Sequence, residues 1–179
     1  PTDLDWAVIQ DIGWTKKTSG MLSKTIDTNK NILEAFSEST KTGTLNFSAG
    51  NNIIVADGQA KILRGLDGDD IYFISNLLSK DSSIEIVDTS GNNTIQIAAN
   101  TKVIKTLWTK DAARLTFEDD REITINGADK FTFNLGGNIT NGEEGLDLAF
   151  SEFAFYFGIN DTTNISGADT GVVTDMYII

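Results

Sequence analysis

From Thr44 onward the chain is a succession of short β-branched or aromatic runs, each parted from the next by a Gly, Asn or Asp turn. The runs are Leu45–Phe47, Ile53–Ala56, Lys61–Leu63, Ile71–Ser75, Ile84–Asp88, Thr94–Ala98, Val103–Leu107, Arg114–Glu118, Glu122–Ile125 and Phe131–Asn134. Their spacing of about ten residues is that of an all-β sandwich, barrel or solenoid. Several alternate cleanly: Ile84 and Ile86 flank Glu85, Ile123 and Ile125 flank Thr124, Phe131 and Phe133 flank Thr132. Because successive side chains on a strand point to opposite faces, each such run buries one face and wets the other. A single Pro and 16 Gly, with many Thr, Asn and Ser, suit tight turns better than a helical bundle.

One turn stands out. Gly65-Leu66-Asp67-Gly68-Asp69-Asp70 runs straight into the apolar strand Ile71-Tyr72-Phe73. Three carboxylates beside glycines are the usual surroundings of a hard, oxygen-seeking cation, because glycine lets backbone carbonyls converge. A nine-residue frame laid on the turn puts Gly68 at place four, Asp70 at place six and Tyr72 at place eight. Eighteen residues earlier the same places hold Gly50, Asn52 and Ile54. The nine residues between hold Gln59, Lys61 and Leu63, so the apolar place persists while the polar turn lapses. Asp88-Thr89-Ser90-Gly91-Asn92-Asn93 echoes the Gly50 turn, but at a different step, which reads as a break in phase and the end of the ladder. The plain alternative for the Gly50 and Gly91 turns is an ordinary hairpin turn.

Gly65, Gly68, Asp70 and Tyr72 resemble the G-G-x-G-x-D-x-U-x nonapeptide of RTX (repeats-in-toxin, hemolysin-type) proteins, with Leu66 in place of the second glycine. That resemblance implies a right-handed parallel β-roll in which turns one coil apart hold Ca²⁺ between them. It also implies the ligands: the Asp70 carboxylate, carbonyls of Gly65 and Asp67 around Gly68, and Ser48, Gly50 and Asn52 from the turn below. Asn52 is neutral where the family has an acid, so one or two weakly bound ions are expected. DTSGNNTIQI, RLTFEDDREITINGADKFTFNLGGN and FSEFAFYFG, within residues 84–158, resemble a C-terminal module of large secreted bacterial proteins with RTX repeats. The ending Asp175-Met176-Tyr177-Ile178-Ile179 is similar to the close of proteins exported by the type I pathway; an ordinary final β-strand is the other reading.

Residues 1–14 read as a short helix capped by Thr2 or Asp3 and stopped by Gly13. They resemble the closing helix of metzincin-type metallopeptidase domains, which implies a preceding catalytic domain; a helix packing Trp6 and Trp14 on the core is the other reading. Residues 15–43 read as a linker or covering segment, with helical turns over Asn31–Phe36. Residues 44–157 form the β domain, closed by a helix over 146–157 whose Leu146, Phe150, Phe153, Ala154 and Phe157 make one stripe. Residues 158–179 are a tail. The expected fold is therefore mainly β, a parallel β-roll or solenoid with short terminal helices, with an antiparallel β-sandwich as runner-up.

With 26 acidic and 14 basic residues the net charge is −12, which repels nucleic acid and anionic membrane. No apolar run approaches the roughly 20 residues of a membrane span. Pro1-Thr2-Asp3 lacks the basic start of a signal peptide, as expected of a piece whose beginning lies elsewhere. The chain has no His and no Cys, which excludes a disulfide, a thiolate nucleophile, a Cys/His zinc site and histidine base chemistry. The paired acids Asp119/Asp120 and Glu143/Glu144 read as solvated turns rather than a glycosidase pair. The expected function is a noncatalytic, calcium-binding module of a larger secreted protein, met by type I secretion machinery and folding outside the cell. The alternative is an adhesin, S-layer or carbohydrate-binding module, whose ligand would stack on Trp6, Trp14 or Trp108.

Overall fold

The structure, a computed structural model, describes residues 14–16, 22–26, 31–35, 43–56, 61–75, 78–137, 142, 144–171 and 176–178. Strands β1 (Trp14–Lys16), β2 (Leu22–Ile26) and β3 (Asn31–Ala35) come first. Then follow β4 (Gly43–Asn46), β5 (Asn52–Val55), β6 (Lys61–Arg64), β7 (Ile71–Ile74), β8 (Ser83–Val87) and β9 (Thr94–Ala98). A second series is β10 (Lys102–Trp108), β11 (Ala112–Phe117), β12 (Glu122–Asn126), β13 (Thr132–Gly136) and β14 (Leu146–Ala149). Helix α1 (Phe150–Phe155) and β15 (Met176–Tyr177) complete the set. Each of the ten runs expected from alternation lies on one of these strands, within a residue or two of its bounds.

The protein is mainly β and forms two mixed sheets. One runs β1-β2-β3-β5-β7-β9-β13-β14, the other β15-β10-β11-β12-β8-β6-β4. From β3 to β9 the chain visits the two sheets alternately, so neighbours within each sheet run parallel. Antiparallel pairing is kept to the flanks, as in β1 with β2, β10 with β11 and β13 with β14. The all-antiparallel sandwich is thus not what the central strands make.

Register follows the apolar places. Ile54 lies opposite Tyr72, Tyr72 opposite Ile95 and Ile95 opposite Phe133, and all four are buried. In the facing sheet Leu63, Ile86 and Ile125 line up the same way. A slip of one residue would turn every one of these side chains to the other face, so burial fixes the pairing.

Three expectations change. Asn31–Ala35 is a strand rather than helical turns, pairing parallel with β5 through Ile32 opposite Asn52. A ready sheet edge outweighs the weak helix preference of so short a run. The 146–157 helix is split: Leu146–Ala149 continues the first sheet beside β13, and the helix starts only at Phe150. Glu152 Oε2 accepts a hydrogen bond from the Ala149 N–H at 2.8 Å and so marks that start. In the tail, β15 pairs with β10. Of the N-terminal helix, residues 1–13 lie outside the described residues, and Trp14 opens a strand. Asp175 and Ile179 of the ending also lie outside them.

Helix α1 closes one end of the core with rings. Phe153 stacks on Phe133 at 4.3 Å and meets the edge of Trp108 at 5.5 Å. Phe150 and Phe157 also lie against Trp108, which is fully buried. Among the described residues no helix is long and apolar enough to cross a membrane.

Candidate functional site

Because β5, β7 and β9 are parallel neighbours, the turns that lead into them lie one on another. Hydrogen bonds join Asn52 to Asp70 across 18 residues and Asp70 to Asn93 across 23. Both steps stack equally well. The longer one is accommodated between β7 and β8, away from the glycine turns. The break in phase read from sequence therefore does not end the stack, which carries on through the Gly91 turn.

Close approach of backbones explains the glycines. A Cβ on Gly68 would lie 2.7 Å from the Gly50 carbonyl carbon, and one on Gly91 would lie 1.7 Å from the Gly68 carbonyl oxygen. Both also hold positive φ, 115° and 86°. Leu66, where the repeat has its second glycine, holds φ 79° as well.

Two ladders of side chains fasten the turns. In the outer one, Asp69 N–H donates to Asn51 Oδ1 at 2.9 Å, and Asn92 N–H donates to Asp69 Oδ1 at 2.8 Å. In the inner one, Asn52 N–H donates to Asp70 Oδ1 at 2.7 Å, and Asp70 N–H donates to Asn93 Oδ1 at 2.9 Å. The two run in opposite directions, so each Asn or Asp satisfies a backbone donor that the turn leaves unpaired.

The Asn52 side chain is held on every side. Its amide nitrogen donates to the Ser48 carbonyl at 2.9 Å, to the Gly50 carbonyl and to Asp70 Oδ1 at 3.1 Å. Its oxygen accepts from Ser48 Oγ at 2.7 Å. A neutral amide thus stands among oxygens that would otherwise suit a cation.

On the far side of Asp70 the balance is different. Asp70 is fully buried, and its Oδ2 has no hydrogen-bond partner among the described residues. A Cβ on Gly65 would lie 1.9 Å from that oxygen and 2.6 Å from Asp88 Oδ2. Asp88, only 4% exposed, accepts from the Tyr72 hydroxyl at 2.7 Å and from Ser90 N–H at 3.2 Å. The Tyr72 hydroxyl in turn accepts from Gly65 N–H at 2.6 Å. Burial, opposed by the Asn52 donors and reinforced by the Asp88 carboxylate, pushes the Asp70 carboxyl up to about 6. Burial and the same Asp88 charge raise the Tyr72 phenol, which stays protonated.

Of the seven residues expected to hold a metal, Ser48, Gly50, Asn52 and Asp70 are joined by hydrogen bonds. Gly68 packs on the Gly50 backbone, and Gly65 lies under the Asp70 carboxylate. Asp67 turns elsewhere and is exposed, accepting from Ser90 Oγ at 2.9 Å. Sequence reasoning missed Asp88, Asn93 and the Tyr72 hydroxyl. A signal existed: at the 23-residue step Asp88 occupies the place of Gly65 and Asn93 that of Asp70. Among the described residues no group of three or more acidic side chains converges on a point. Asp120 and Glu144 of the paired acids are exposed. Trp108, being buried, offers no face to a sugar ring.

No protein-family model, curated protein or solved structure matches the chain.

Proposed function

We propose that this chain is a noncatalytic, calcium-binding β-roll module of a larger secreted bacterial protein exported by the type I route. The work of this module is to fold once outside the cell, and the resemblance of residues 1–14 to the close of a metallopeptidase domain favours a peptidase as the parent. What carries the reading is the stack of glycine turns in which Asp70 is buried with one carboxylate oxygen lacking a donor among the described residues. A buried, half-satisfied carboxylate is costly alone and is stabilised by a hard cation. The alternation of strands between two sheets at an 18-residue step supports the β-roll.

Linkage gives the mechanism. Where Ca²⁺ is scarce, the acids at 67, 69, 70 and 88 oppose closure of the stack. Where Ca²⁺ is plentiful, an ion that binds only the folded turns adds its binding free energy to folding. Asp70 is the ligand this reading depends on; the Ser48, Gly50 and Asn52 side of the turn is already satisfied by the Asn52 amide. The test is circular dichroism and thermal melting in Ca²⁺ and in chelator. A melting point raised by Ca²⁺ supports the reading, and an identical fold and melting point in chelator overturns it.

A further inference from the structure

We infer that the cation position lies between Asp70 Oδ2 and Asp88 Oδ2, one turn further along the stack than the repeat pattern indicates. The inference rests on the calcium-binding reading and assigns it a partner ligand, Asp88. Both acids are buried, at 0% and 4% exposure, and both bring an oxygen to the same side of Gly65. Asp70 Oδ2 lies there without a donor among the described residues. Among the described residues no Lys or Arg pairs with either carboxylate. Two buried carboxylates side by side repel unless they share a proton or a cation lies between them, and a divalent ion neutralises both at once.

The surroundings suit a hard ion. The polar atoms nearest a methyl group at the Gly65 α-carbon are carboxylate oxygens of Asp70 and Asp88, and the Tyr72 phenol oxygen lies on the Gly65 N–H. The phenol is placed by accepting from Gly65 N–H and donates to Asp88 Oδ2, which positions that oxygen. Asp88, but neither Asp70 nor Gly65, also lines an open cleft of about 470 Å³ with Arg64, Asp67, Thr89 and Ser90. On the opposite side the Asn52 amide already fills the ring made by Ser48, Gly50 and Asp70 Oδ1. Each oxygen of Asp70 thus has its own role: Oδ1 for the amide and Oδ2 for the ion.

The experiment is Ca²⁺ titration by calorimetry of the whole chain after chelator treatment, with Asp88→Asn and Asp67→Asn compared to the parent. The expected result is binding to the parent, affinity at least tenfold weaker in Asp88→Asn, and little change in Asp67→Asn. Loss in Asp67→Asn with Asp88→Asn unaffected overturns this position and leaves the calcium-binding reading standing. No Ca²⁺ binding by a folded parent overturns both, and the two acids then share a proton. Should Asp88→Asn fail to fold, Tb³⁺ luminescence decides. An ion at this position is sensitised by Tyr72 and held by the carboxylate that the phenol positions, so Tyr72→Phe should weaken binding and lose most of that emission; undiminished emission overturns the inference.

Discussion

Asp70 and Asp88, from successive turns of the stack, set a carboxylate oxygen each against the α-carbon of Gly65, where a methyl group would lie 1.9 Å from one and 2.6 Å from the other. Only hydrogen fits at that α-carbon. The same contact couples the acidity of Asp70 to the stability of the whole stack.

In chelator, stability should fall as pH rises. Asp70 titrates near 6 when folded, against 3.8 when free. Its folded pKa is raised, so the folded state holds a proton the unfolded state has given up. The contribution is fully present below the unfolded value and is lost as pH climbs through the folded one. The loss amounts to about 3 kcal/mol for this group. Urea midpoints across this window should decline for the parent and stay level for Asp70→Asn, whose amide donates to Asp88 at any pH. A parent midpoint that rises through the window would contradict the pairing.

Asn52→Asp should turn a calcium-indifferent half-site into a calcium-dependent one. The new carboxylate would replace a donor 3.1 Å from Asp70 Oδ1 and face the Ser48 and Gly50 carbonyls. In chelator the cost should be about 3 kcal/mol or more, from lost donors and a new like-charge contact. With Ca²⁺ the stability should return, and calorimetry should show an additional bound ion.

Leu66→Gly should stabilise the protein. Leu66 holds φ 79° and is 42% exposed, so it is strained and gains little from packing. Relief of a left-handed backbone, about 1–2 kcal/mol, exceeds the entropy that glycine adds to the unfolded chain. The net gain should be about 1 kcal/mol, read as a higher urea midpoint.

Phe153→Ala should destabilise by about 4 kcal/mol, because it empties the centre of the ring cluster between Phe133, Trp108 and Phe157. Phe155→Ala, on the same helix but 64% exposed, should change stability by no more than about 0.5 kcal/mol. Thermal or urea unfolding separates the two. Similar losses from both would mean that the helix packs through a different face.

Strand positions were legible because alternation is a local property. Ile84-Glu85-Ile86 or Ile123-Thr124-Ile125 shows its buried face without reference to anything distant. The stripe Phe150, Phe153 and Ala154 was legible for the same reason; Phe157 is buried with it but lies in the turn after the helix ends at Phe155, and Leu146 fell outside because a neighbouring strand claimed its backbone. Asn31–Ala35 misled because so short a run takes its conformation from the edge it meets, here β5.

Sequence alone determined the repeat: glycines at 50 and 68, apolar residues at 54, 63 and 72, and a surplus of acid around one turn. These follow from spacing and residue type, which do not depend on what lies alongside. Only the tertiary structure decided that Gly91 stacks on Gly68, since a longer step is invisible to the turns when the extra chain is taken up elsewhere. It also decided that Asp70 faces Asp88 while Asp67 faces Ser90. Those pairings join residues from different turns, and which acid meets which follows from strand register, a property of the packed sheets rather than of any one stretch of chain.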